Sequence, residues 1–215
     1  MRYPIYMSEL SEEKYASLLE LGGVALDFAT IKRGTWLKDG VTNESDTDHT
    51  VMLGLMACAL ASETEERFDI GKVAQFALVH DLVETYAGDT DTYGGLNTDR
   101  KLDKEQREAL AFERIKKKFD STFPWISKTI TEYESLESPE ARFVKTLDKT
   151  TPKVTRYFNN MAGDTTEEAF TAHCTAQFAS LQKTYGHDQS EVLGFYSFSF
   201  KKALEVLRAK LGKKN

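Results

Sequence analysis

The amino-acid sequence predicts an all-α fold. Three observations carry that expectation. Only four prolines and 13 glycines punctuate 215 residues. No stretch is rich in alternating β-branched residues, as a half-buried strand would be. Between Ile70 and Tyr86, apolar residues at 70, 73, 74, 76, 77, 78, 79, 82 and 83 cover most of a helix circumference, as in a central core helix.

The elements follow in order. Ser8 or Ser11 can cap a first helix that Gly22-Gly23 would end near Leu21. Residues 24–33 read as a second short helix, and the polar, turn-rich residues 34–46 as a loop. Asp46 or Thr47 opens a buried helix to about Ser62, and Asp69 caps the central helix running to about Tyr86. Residues 87–99, with Gly88, Gly94 and Gly95, form a loop. A charged amphipathic helix runs from about Leu102 to Phe119, and a shorter one from about Pro124 to Leu136. Ser138-Pro139-Glu140 is a strong helix start; Phe143, Val144, Leu147, Val154 and Phe158 follow with helical spacing. Two further helices, about 166–185 and 189–211, complete the chain. No repeat, low-complexity segment or linker interrupts residues 1–215, which read as one domain with its core at about 24–160.

Composition excludes several classes. Hydrophobic residues make up 40% and charged residues 29%, which argues against disorder. The net charge of −6 gives no global attraction to nucleic acid, and no nucleic-acid partner is expected. Cys58 and Cys174 both lie in apolar, helix-like stretches. Two such cysteines make neither a disulfide framework nor a Cys-rich zinc site, and they read as core thiols. The longest apolar run, Val51 to Ala61, is half the ~20 residues a bilayer needs. With no signal-peptide pattern at the N-terminus, the expectation is a cytoplasmic protein without a membrane partner.

Four residues stand out: His49, the pair His80-Asp81, and Asp148. His49 falls early in an apolar helix, His80-Asp81 late in the central helix, and Asp148 inside the helix that begins at Ser138. Imidazole and carboxylate groups inside such helices need a partner or a ligand. Two of each make a mixed nitrogen and oxygen set suited to Mn²⁺, Fe²⁺, Co²⁺ or Zn²⁺, with Mg²⁺ possible. Glu84 lies one turn after His80, and Gly88-Asp89 adds a carboxylate near the same mouth.

This order of residues resembles the HD-domain metal phosphohydrolases. Glu44-Ser45-Asp46-Thr47-Asp48-His49 is similar to the entry to the first ligand helix in the 5′-deoxynucleotidase branch. Leu78-Val79-His80-Asp81-Leu82-Val83-Glu84, with Gly88-Asp89, matches that branch's second motif. Glu140 to Lys149, ending Thr146-Leu147-Asp148-Lys149, resembles its last. The similarity covers roughly residues 24–160.

The resemblance implies one divalent ion held by His49, His80, Asp81 and Asp148. It implies Glu84 as general acid/base, Asp89 as the carboxylate that assists it, and a homodimer. Arg33 and Trp36 sit upstream of His49 much as the family's substrate arginine and tryptophan do. Here Gly34-Thr35 separates them, as in the eukaryotic relatives, whereas the bacterial enzymes set them side by side. An arginine can grip a phosphate through two parallel hydrogen bonds. The expected activity is hydrolysis of (deoxy)nucleoside 5′-monophosphates to nucleoside and phosphate. Two rivals stay open. One is a nucleoside triphosphate triphosphohydrolase, favoured if Lys145, Lys149 or Lys153 lies near the site. The other is a non-catalytic nucleotide-binding module, against which Glu84 and Asp89 count. His173 and His187 read as ordinary polar residues.

Overall fold

The computed structural model describes residues 10–64, 67–90 and 97–212. Ten helices and a two-stranded hairpin form in these residues, in the order α1 (Glu12–Phe28), β1 (Lys32–Trp36), β2 (Asn43–Ser45), α2 (Asp46–Ser62), α3 (Ile70–Val79), α4 (Glu84–Ala87), α5 (Thr98–Phe119), α6 (Trp125–Ser135), α7 (Pro139–Asp148), α8 (Thr151–Phe158), α9 (Glu167–Tyr185) and α10 (Ser190–Gly212). The all-α expectation holds apart from the hairpin. Among the described residues, no helix is long and apolar enough to cross a membrane.

Ser11, Asp69 and Ser138 cap α1, α3 and α7, each side chain accepting from the backbone N–H three residues on. The predicted break at Gly22-Gly23 does not occur. Leu21, Val24 and Phe28 recur on one face of α1, the last two buried. That face carries the helix across two glycines, at roughly 1 kcal/mol each against alanine.

The predicted helix over 24–33 also gives way, because β1 begins at Lys32. Asp39 shapes the turn between the strands: its Oδ1 accepts from the N–H groups of Val41 and Thr42 at 3.0 and 2.9 Å. Gly40 there has φ +72°, a conformation glycine adopts freely.

The central helix and the Ser138 helix are each two helices. Nδ1 of His80 donates to the Ala77 carbonyl at 2.8 Å, the acceptor that Asp81 N–H would use if α3 continued. The chain instead turns tightly, with Glu84 N–H donating to Asp81 O, before α4. At Asp148, Pro152 cannot follow in the helix because it lacks an N–H and its ring crowds the carbonyl four residues back. That carbonyl accepts from Thr151 Oγ1 at 2.7 Å instead. In consequence α8 buries Thr151, Lys153 and Thr155, while Phe158, expected on an apolar face, is exposed.

α2, α3 and α7 enclose the main core, around Leu53, Ala57, Val73, Phe76, Phe143, Val144 and Leu147. α9 and α10 pack a second cluster, including Phe170, Cys174, Ala203 and Leu207, against the α8 side. Cys174 is buried and Cys58 half-buried, both as free thiols.

Candidate metal centre

Each candidate ligand is placed by a local backbone device. Ser45 N-caps α2 by accepting from Asp48 N–H at 3.1 Å, while Ser45 N–H donates back to Asp48 Oδ2 at 2.9 Å. This reciprocal cap fixes the first turn of α2 and with it His49. The histidine-to-carbonyl bond places His80 and Asp81 in the turn after α3. The proline break leaves Asp148 as the last residue of α7.

The four side chains converge although up to 99 residues separate them. His49 Nε2 lies 3.0 Å from Asp148 Oδ1, and His80 Nε2 lies 3.0 Å from Asp81 Oδ2. The imidazole centroids are 5.2 Å apart. One ligand atom from each of the four lies within 4.8 Å of all the others. His49, His80 and Asp148 are buried, and Asp81 is half-buried.

The chemistry of this set fits a divalent cation. A carbonyl can only accept, so His80 Nδ1 carries the proton, and the neutral ring turns its Nε2 lone pair inward. That Nε2 is buried and, despite its 3.0 Å approach to Asp81, makes no aligned hydrogen bond. An orphaned lone pair against a carboxylate calls for a cation between them.

Arg33 sits on the cavity side of this group. Its Nη1 donates to Asp81 Oδ2 at 2.8 Å and to Asp46 Oδ1 at 3.0 Å, and lies 4.0 Å from Glu84 Oε2. Burial, with Asp81 and Asp89 nearby, raises Asp46 to about 6 against the pull of Arg33. Glu84 is buried, its Oε2 without a hydrogen-bond partner. Burial first, then Asp81, Asp46 and Asp89, push its carboxyl up to about 10, with Lys104 opposing.

A cavity of about 340 Å³ opens beside the group. Arg33, Trp36, Asp89 and Asp148 are on its wall; His49, His80, Asp81 and Glu84 are not. Arg107 of α5 holds the segment bearing Asp89, donating to Ala87 O and to Thr90 Oγ1. Residues three apart on a regular strand face opposite ways. Arg33 and Trp36 nonetheless share the cavity. Between the pairs Lys32–Ser45 and Trp36–Asn43, β1 has two more residues than β2, and such a bulge re-aims side chains. Trp36 then packs on Gly163 (φ +82°), where a Cβ would stand 2.7 Å from its ring. Lys210 of α10 donates to the carbonyls of Met161 and Gly163, so the basic C-terminal helix braces this contact.

Sequence reasoning weighed Lys153 but missed the rest of the far wall, formed by Arg156 on α8 and by Phe170, His173, Cys174 and Gln177 on α9. The spacing 170, 173, 174, 177 is one helix face, which was the available signal. His173, read as an ordinary polar residue, lines the cavity, whereas His187 is exposed beside Asp188. Of the three lysines weighed, Lys149 and Lys153 are on the wall; Lys145 lies over the Tyr133 ring instead.

An HD domain family profile matches residues 28–192. The 5′-deoxynucleotidase hdd1 of Schizosaccharomyces pombe is 30% identical over 125 residues, 56% of this chain and 61% of that protein. The match thus spans less than two thirds of that relative's length. The 5′-deoxynucleotidase HDDC2 of Dictyostelium discoideum is 30% identical over 144 residues, 62% of this chain and 73% of that protein. A predicted metal-dependent phosphohydrolase from Magnetospirillum magnetotacticum MS-1 superposes with a TM-score of 0.72 at 26% identity, covering 93% of this chain and 97% of that one. With a profile match across most of its length and the paired imidazoles and carboxylates that the motifs bring together, the chain belongs to the HD domain family.

Proposed function

We propose that the protein is a metal-dependent 5′-nucleotidase that hydrolyses deoxynucleoside 5′-monophosphates to nucleoside and phosphate. The observation that carries this is the convergence of His49, His80, Asp81 and Asp148 beside a cavity bearing Arg33. The names of the yeast and Dictyostelium relatives agree with it.

In this reading His49, His80, Asp81 and Asp148 hold one divalent ion, of the Mn²⁺, Co²⁺, Mg²⁺, Fe²⁺ or Zn²⁺ kind. When bound, such an ion lowers the pKa of water and neutralises phosphoryl charge. Arg33, anchored through Nη1 on Asp46 and Asp81, binds and orients the phosphate. Trp36 forms an apolar wall beside the sugar. Glu84, held in its neutral form by burial, has a proton to give the leaving 5′-oxygen. Asp89, on the cavity wall, keeps negative charge beside Glu84 and so favours that protonated form.

The test is a screen of nucleoside mono- and triphosphates with Mn²⁺, Co²⁺ and Mg²⁺, measuring phosphate and triphosphate separately. Lys149 and Lys153 on the wall favour a second reading, release of triphosphate from nucleoside triphosphates. Nucleoside plus phosphate supports the first reading, nucleoside plus triphosphate replaces it, and no product leaves a binding module. We read the chain as one domain, since α10 packs on both α7 and α8, and as a cytoplasmic homodimer without nucleic-acid partners. Exposed Leu19, Leu26 and Leu55 on α1 and α2, with Phe198 on α10, offer apolar surface for a second copy. Light scattering at 24 kDa across micromolar concentrations would count against the dimer.

A further inference from the structure

The far wall of the cavity holds one amide in a fixed orientation. Lys153 Nζ donates to the Lys149 carbonyl at 2.7 Å and to Gln177 Oε1. An ammonium can only donate, so the oxygen of the Gln177 amide is the atom turned to Lys153. Tyr196, 1% exposed, brings its Oη to 3.0 Å from the same oxygen and to 2.9 Å from the Cys174 carbonyl. The amide is therefore clamped from inside the protein. Its NH₂ has no hydrogen-bond partner among the described residues, and Gln177 is half-buried on the cavity wall. Lys149 also pairs with Asp148 at 2.7 Å, so consecutive contacts tie this amide to the metal centre.

The neighbours agree in kind. Arg156, three residues after Lys153 on the same face of α8, carries a guanidinium that cannot accept a hydrogen bond. Phe170, two turns before Gln177 on α9, adds an aromatic ring to the same wall. His173 is held below its ordinary pKa by burial and then by Lys153 and Arg156, so it brings no charge. The carboxylates on the cavity wall, Asp89, Asp148 and Asp164, lie outside α8 and α9. With Arg33 orienting the phosphate and Trp36 beside the sugar, the α8–α9 face is what remains for the base.

We infer that the clamped Gln177 amide selects the base of the nucleotide, donating to a ring carbonyl and rejecting an amino group at the same place. The inference rests on the proposed nucleotidase reading and narrows its substrate class to 6-oxopurine over 6-aminopurine nucleotides. Guanine offers two adjacent acceptors, O6 and N7, whereas adenine sets an amino donor beside N7. A carbonyl completes the Gln177 NH₂. An amino group would face it donor to donor, leaving both unmatched, and the amide cannot turn over to help because Lys153 holds its oxygen.

The experiment measures kcat/KM for deoxyguanosine, deoxyinosine and deoxyadenosine 5′-monophosphates with metal in excess, for wild type and Gln177→Glu. The three bases share one bicyclic shape, and deoxyinosine keeps the 6-carbonyl without the 2-amino group of guanine. An unmatched buried donor costs about ten- to hundredfold. Wild type is therefore expected to favour both 6-oxo substrates over the 6-amino one by at least about tenfold. In Gln177→Glu one carboxylate oxygen stays on Lys153 and the other accepts, so the preference should reverse. A side chain that merely supports α9 would lower all three rates alike. A wild-type preference under about threefold, deoxyinosine grouping with deoxyadenosine, or a preference that Gln177→Glu moves by less than about tenfold overturns the inference. If Gln177→Glu does not fold, Gln177→Met takes its place, and the preference should then fall to about threefold or less; an unchanged preference overturns the inference. If wild type hydrolyses none of the three, the proposed function has failed, and calorimetric binding of deoxyguanosine and deoxyadenosine decides the base reading alone. A preference of about tenfold for deoxyguanosine that the variant loses keeps it; equal binding, or none, removes it.

Discussion

Replacing Glu84 by glutamine should make the metal-free protein more stable and the loaded protein nearly inactive. Glu84 is 3% exposed, and its Oε2 has no hydrogen-bond partner. Its nearest cations do not depend on it. Lys104 Nζ is 3.7 Å away but 3.2 Å from Glu108, and Arg33 keeps its two shorter contacts to Asp46 and Asp81. The amide keeps the shape and cannot ionise. Keeping that carboxyl protonated near pH 7, above its ordinary 4.5, costs about 1–3 kcal/mol, which the amide avoids. At roughly 2–4 °C per kcal/mol for a domain of this size, Tm should rise by about 2–12 °C near pH 7. Burial raises the folded carboxyl to about 10 from its ordinary 4.5, so between those values the folded state binds more protons than the unfolded state. Wild-type stability should therefore fall as pH rises through that window, and the gain from Glu84→Gln should widen from pH 5 to pH 8. Calorimetry in chelator across that range reads this. Turnover with metal should drop about 10²- to 10⁴-fold, as for loss of a general acid. A variant no more stable than wild type at pH 8, or one with near-normal turnover, would refute the reasoning.

Asp148→Ala should abolish metal binding, measured by titration calorimetry, while circular dichroism stays largely helical; full metal occupancy in that variant would remove Asp148 from the ligand set. Gly163→Ala meets Trp36 at 2.7 Å and adds a side chain at φ +82°. Strain of about 1–3 kcal/mol from the backbone should lower Tm by several degrees, and the displaced Trp36 should raise KM more than it lowers kcat. Trp36→Ala should narrow any preference for deoxyribo- over ribonucleotides, checked on matched substrate pairs; equal turnover of both sugars by wild type would make Trp36 structural. Lys153 stands at about 8 in the folded state against an ordinary 10.5. The unfolded state thus binds the extra proton between those values, and ligand-free stability should rise with pH from about 8 to about 10. Lys153→Met should flatten that rise in a urea titration series.

The sequence by itself determined most of the helices and pointed to the candidate metal centre. Caps and apolar faces are local in sequence, so Ser11, Asp69 and Ser138 announced their helices, and helix α2 began and ended where expected. The candidate ligands were legible because an imidazole or a carboxylate in an apolar run has few other uses, and because three ordered motifs matched a known family. Tertiary structure decided how those residues meet. The end of α3 depends on a His80 side chain taking a backbone acceptor, which no periodicity records. The end of α7 could have been anticipated from Pro152, but the apolar spacing of Val154 and Phe158 pointed the other way. Arg33 and Trp36 share a cavity only because β1 bulges against β2, a matter of register set between strands. The α8–α9 wall lay outside the recognised motifs. Nothing in the sequence marks Lys153 as buried or His173 as lining a cavity, and only the packing of α10 behind α8 and α9 buries the lysine and turns that wall toward the cavity. Such contacts join residues tens of positions apart, and side-chain direction across them is fixed by packing rather than by local sequence.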